Sequence, residues 1–169
     1  MSDLDTARLL TRYNAWANDL IFEAVGKLPD GEALKPRQSL FANMVKTLHH
    51  NYIIDRIFQA HLTGRDHGYG SRSTPEYPAL VQLWHEQRAV DLWYIDWSQQ
   101  VSESHLNELV EFTFVGGGRG AMTRYEMLLH VVNHTTYHRG FVADLFYQVP
   151  ATPPVTDLPV FTRRERGLG

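Results

Sequence analysis

Apolar side chains recur three and four residues apart along most of this chain, the spacing that gathers them on one face of an α-helix. From about Asp5 to Lys27 the register holds Leu9, Leu10, Tyr13, Trp16, Leu20 and Ile21, and Leu28-Pro29-Asp30-Gly31 stops it. A second stretch begins near Ser39, whose hydroxyl can cap a helix, and runs through Phe41, Met44, Val45, Leu48, Ile54, Ile57 and Phe58 to Thr63-Gly64. The segment from Arg65 to Pro78 is rich in Gly, Ser and Pro and predicts a loop. A third helix is expected over about Ala79 to Gln100, carrying Leu80, Leu83, Trp84, Leu92, Trp93, Ile95 and Trp97, with a short helical turn at Ser104 to Val110.

The period then changes. Glu111-Phe112-Thr113-Phe114-Val115 alternates polar and apolar positions, and Gly116-Gly117-Gly118-Arg119-Gly120 turns the chain, which predicts a small hairpin. These glycines do not form a phosphate loop, because no Gly-Lys-Ser/Thr follows them and no βαβ pattern surrounds them. Thr123-Arg124-Tyr125-Glu126 is a capping box and starts a last helix that should reach about Gln148, ahead of Pro150. The tail after that is expected to be extended and Pro-rich, with a frayed end at RRERGLG. Four helices of roughly 30 Å each predict an all-α four-helix bundle, one domain over residues 1–169, with a small hairpin or irregular insertion before the last helix.

Composition narrows the function classes. The chain has 169 residues, 43% of them hydrophobic, long enough to bury a core without staples, so a bound metal is free to serve chemistry rather than folding. With no Cys there is no disulfide, no thiolate metal site and no cysteine nucleophile. A net charge of −3 with a pI near 6.3 offers no basic footprint for nucleic acid. The N-terminal MSDLDTARLL lacks the basic and apolar regions of a secretory signal, and no run approaches about 18 apolar residues, so neither export nor a membrane is expected and the reading is cytoplasmic.

The candidate chemistry lies in the nine histidines. On the last helix His134 and His138 are one turn apart and fall about 40° from one another around the axis, in the stripe that also holds Met127, Val131, Phe141 and Leu145. A buried imidazole needs a hydrogen-bond partner or a ligand, and side chains at this spacing can reach one ion. His130 sits nearer the edge of the stripe, beside Tyr137. A third ligand must come from another helix, and His49 and His50 are the candidates; the neighbours of His50 around the wheel are Ile54 and Ile57, whereas those of His49 are Lys46 and Arg56. His61, His67 and His105 fall at helix ends or in loops and read as solvated surface residues. His85-Glu86-Gln87-Arg88-Ala89 lacks the second histidine of a zincin helix, and neither a Glu-x-x-His nor a Gly-x-Ser-x-Gly motif occurs.

Three stretches together resemble the DinB/YfiT-like family of metalloenzymes: Tyr13-Asn14-Ala15-Trp16-Ala17-Asn18, Thr47-Leu48-His49-His50 with Asp55-Arg56, and Asn133-His134 with His138-Arg139-Gly140. Their order and separation match and span nearly the whole chain. The resemblance implies a four-helix bundle, a homodimer, and one divalent metal ion per chain, nickel or zinc, bound by His50, His134 and His138. Where the family has Asn before the second-helix ligand this chain has His49, so His49 and His50 can exchange roles. It further implies a small-molecule substrate, with relatives acting as S-transferases or isomerases that use low-molecular-weight thiols. Asn14 and Trp16 then become candidates for supporting roles, and Asp55 with Arg56 for an internal ion pair; no catalytic acid or base is assigned. The expected function is a metal-dependent enzyme of thiol-transferase or hydrolase type. A non-enzymatic metal- or ligand-binding protein linked to stress is the alternative.

Overall fold

The structure, a computed structural model, describes residues 2–168. Helix α1 (Asp3–Gly26) starts at a reciprocal capping box between Ser2 and Asp5, which satisfies two amide donors that the first turn would otherwise leave free. Helix α2 (Met44–Leu62) starts five residues later than the sequence suggests. Its cap is Asn43, whose Oδ1 accepts from the Lys46 amide at 2.8 Å, because residues 39–42 are taken up in turns and Ala42 sits at φ 66°, outside the helical range.

Helix α3 (Leu80–Gln100) follows the long loop, and the single turn α4 (Glu103–Leu106) ends before Val110, which belongs to the first strand instead. Strands β1 (Leu109–Thr113) and β2 (Arg119–Thr123) pair antiparallel, with Phe112 opposite Gly120. Gly116, Gly117 and Gly118 all have φ above +90°, so the turn depends on residues without a Cβ. Gly120 is required for a different reason: a Cβ there would stand 2.7 Å from Cζ of Phe112. Helix α5 (Arg124–Phe146) begins at the expected Thr123–Glu126 capping box. The tail is extended up to Asp157, as expected, and then turns helical where a frayed end was expected. Leu158–Glu165 forms helix α6, which buries Phe161 against Tyr13 and Trp16 of α1 at ring separations of 5.9 and 5.4 Å.

The chain is all-α apart from the hairpin, and its four long helices form a bundle in which α1 packs on α3 and α5, and α2 packs on α5 and α3. The sequence-adjacent helices α1 and α2 thus stand at opposite corners, and α2 faces α5. One apolar cluster centres on Ile53, Ile57, Phe58, Met127 and Val131; another, at the other end, on Ile21, Phe22, Leu48, Leu145 and Phe146. No helix among the described residues is long and apolar enough to cross a membrane.

Candidate metal centre

Because α2 packs on α5, the buried side of one meets the buried side of the other where His50, His134 and His138 lie. Each of the three offers a ring nitrogen within 4.8 Å of those of the other two. His50 Nε2 is 3.1 Å from His134 Nε2, and the ring centroids lie 4.5 to 5.0 Å apart. Two nitrogens bound to one tetrahedral ion at about 2.0–2.1 Å would be separated by roughly 3.3 Å, so the spacing fits a shared cation.

The surroundings prepare the rings for this. His50 Nδ1 lies 2.7 Å from the carbonyl oxygen of Arg72, which can only accept, so the ring carries its proton on Nδ1 and leaves the Nε2 lone pair free. Phe41 stacks over His50 at 4.4 Å and leans on His138 at 5.5 Å. The Nδ1 atoms of His134 and His138 are buried and have no partner. Burial holds His134 down to about 3 and His138 to about 4, with the neighbouring rings adding to the effect, and it lowers His50 as well. All three are therefore neutral near pH 7, the state that binds a cation. No carboxylate among the described residues joins the cluster.

His49 is buried too but faces elsewhere, beside Tyr52 and Tyr77 at 6.2 and 6.3 Å, so the cluster takes His50 from the pair. His130 lies along the same wall, its ring 5.6 Å from His134 and 4.4 Å from Phe58. His61 corrects the sequence reading: it is 7% exposed, packed between Phe58 and Phe112, because the hairpin folds back over the end of α2. His67 is half-buried, its Nδ1 accepting from the Tyr69 amide, and His105 is exposed beside Glu108.

The other singled-out residues form a separate polar layer. Arg139 turns away from the histidines and donates to Asn14 Oδ1 at 2.7 Å and Asn18 Oδ1 at 2.9 Å. Asn18 bonds Asp91, and Gln87 bridges Asp91 to Asp55, which also accepts from Thr135. Asp55 is fully buried while Arg56 is exposed, so the two adjacent residues do not form an ion pair; a helix points consecutive side chains about 100° apart. Trp16 packs on Phe161 and Tyr13.

The cluster opens on a pocket of about 620 Å³. Its wall is mostly apolar, from Ile54, Ile57 and Phe58 of α2 and from Phe112, Val115 and Met122 of the hairpin region. Sequence reasoning did not anticipate this wall, since the hairpin carries only a weak alternating pattern and nothing in it says which helix it will cover.

A four-helix bundle in which three neutral imidazoles from two helices converge on an apolar pocket defines a class of histidine-centred bundle proteins able to hold a divalent cation. The chain belongs to the DinB family, whose model matches residues 1–167. It is similar to Protein DinB of Bacillus subtilis (strain 168), 29% identical over 170 residues that cover 93% of this chain and 94% of the relative.

Proposed function

We propose that the chain binds one divalent ion, nickel or zinc, through His50, His134 and His138, and uses it as a metal-dependent enzyme on a small molecule, in a thiol-transfer or hydrolytic reaction. The observation that carries this reading is the convergence of three neutral imidazoles, two with unpartnered buried nitrogens, at the edge of a pocket large enough for an organic substrate. Three neutral protein ligands leave the cation's charge uncompensated and a coordination position open, so that a coordinated thiol or water is more acidic than in solution.

The chain's own residues supply the rest. The Arg72 carbonyl holds the His50 tautomer, and Phe41 covers the rings on one side. The apolar wall of Ile54, Ile57 and Phe58 limits water around the substrate, strengthening electrostatic interactions inside the pocket.

Elemental analysis of tag-free protein should find close to one divalent ion per chain, and His134→Ala and His138→Ala should lose it while His49→Ala keeps it. Titrating a small thiol into cobalt-substituted protein should add a sulfur-to-metal charge-transfer band, and conjugation of that thiol to an electrophile should require His138. Metal binding with a spectrum indifferent to every thiol shifts the reading to water as the nucleophile. Absence of any turnover would make the protein a non-enzymatic metal binder.

A further inference from the structure

The pocket has a second end. Eleven residues beyond His50 on α2, about 16 Å along the helix axis, stands His61, which lines the same pocket. Between the two ends the wall is mostly apolar and rich in rings, with Ile57, Phe58, Phe112 and Phe114 among its residues and His130 as a polar exception midway. His61 is more than nine-tenths buried as a residue, but its ring nitrogens keep access to solvent, and no protein hydrogen bond holds either of them among the described residues. Its ring is gripped by Phe58 at 5.5 Å and Phe112 at 4.7 Å, and His67 stands edge-on to it at 5.4 Å.

Ring nitrogens that water alone serves are free to meet a donor or acceptor of a bound molecule. His61 also borders a shallower groove of about 250 Å³ beside Arg65 and Glu111, so water can approach it from outside. The larger, ring-lined space lies on the other side. A mostly apolar cavity with a few polar groups, His61 at the end away from the histidine cluster, is the usual form of a small-molecule site, the wall supplying affinity and the polar groups fixing orientation.

We propose that His61 is a specificity-determining residue for the site's substrate, an elongated, largely apolar molecule of aromatic-ring size whose hydrogen-bonding end meets His61 while its reactive end faces His50, His134 and His138. This rests on the reading of the histidine cluster as a metal-dependent site, and adds to it the class of molecule the pocket takes. The rings of the wall favour a flat body, which stacks or meets them edge to face. His61 acts here as a hydrogen-bond partner and takes no part in the chemistry at the other end.

Naphthol and naphthalene form a matched pair of probes, differing by one hydroxyl, and their binding to the full chain can be measured with and without added zinc. Wild-type protein should prefer naphthol about fivefold. His61→Leu should remove the preference while binding naphthalene at least as well, which shows that the pocket is intact, and His61→Gln should restore part of it. His130→Leu, a change midway along the same wall, should leave the preference in place. In protein labelled at its histidine ring nitrogens, naphthol should shift the His61 signals and naphthalene should not. Equal preference in wild type and His61→Leu would overturn the proposal, as would failure of both probes to bind or a preference that depends on zinc and not on His61. A chain that binds no metal yet keeps the His61-dependent preference would refute the metal reading and leave the pocket assignment standing.

Discussion

Two of the groups of polar side chains buried in this bundle are finished in opposite ways. Around Arg139, nearly every donor meets an acceptor: the guanidinium reaches Asn14, Asn18 and Thr136, Asn18 reaches Asp91, and Gln87 joins Asp91 to Asp55. Gln87 Oε1 and Arg139 Nε are its unpartnered atoms. Around His50, His134 and His138 the only bond to a non-histidine side-chain or backbone group among the described residues is that from His50 to the Arg72 carbonyl, and the cluster opens on a cavity. The first group closes on itself and holds α1, α3, α2 and α5 together through directional bonds. The second brings one ring nitrogen of each histidine within 4.8 Å of the others, an arrangement that a cation could complete. Of the residues that carry the DinB resemblance, Asn14, Asn18, Asp55 and Arg139 belong to the framework, and His50, His134 and His138 to the site.

The sharpest way to break this comparison is to damage the framework and see whether the fold gives way. Arg139→Ala should destabilise the protein by about 3–5 kcal/mol in urea unfolding, since it strands the buried acceptors that the guanidinium serves. A loss under about 1 kcal/mol would mean that the layer is incidental.

A second effect, spread over several pH units, appears in the pH dependence. Desolvation and the proximity of Asp91 push the Asp55 carboxyl up to about 8, and desolvation pushes Asp91 up to about 7. A carboxyl whose pKa is raised by folding supports the fold below its unfolded value near 4, and that support is lost as pH rises through the folded value. Asp55 should therefore contribute a fall of up to about 1.4 kcal/mol per pH unit across this window. Asp55→Asn should flatten the curve and gain on wild type as pH rises from about 4 to 8; parallel curves would show that Asp55 is ionised in the folded protein throughout.

At the site the expected stability change is smaller. In chelator-treated protein His138→Ala should shift stability by no more than about 1 kcal/mol, because no protein hydrogen bond to its Nδ1 is lost, and helical circular dichroism should persist without metal. The buried imidazoles act with the opposite sign to the carboxyls. Their folded pKa values lie below 6.5, so their contribution is intact above that value and is lost as pH falls toward about 4 for His138 and about 3 for His134. Metal-free His134→Ala should accordingly lose less stability on acidification than wild type. If chelation abolishes cooperative unfolding instead, the histidine cluster is part of the framework and the contrast between the two regions fails.

The smallest change tests a negative. Arg56→Ala should alter stability by less than about 0.5 kcal/mol, since Arg56 is exposed and its side chain only approaches Tyr52. A loss comparable to that of Arg139→Ala would restore the Asp55–Arg56 pairing that the adjacent positions suggest.

Local rules account for much of this molecule. The period of 3.6 residues in the apolar positions determines that α1, α2, α3 and α5 exist, and the Thr123–Glu126 capping box determines where α5 starts, because both signals act within a few neighbouring residues. The one-turn spacing likewise places His134 and His138 on one face of α5 whatever the rest of the chain does. Other features depend on groups distant in sequence, and there the local pattern misleads. The tail becomes α6 because Phe161 finds Tyr13 and Trp16, and His61 is buried because the hairpin closes over the end of α2. Only packing α2 on α5, across the bundle from the sequence-adjacent α1, brings His50 to His134, separates it from His49, and leaves an apolar cavity beside them. Helix periodicity states which face is apolar but not which other face it will meet, since burial of apolar area is non-directional, and the choice among partners is made by the packing of the whole bundle.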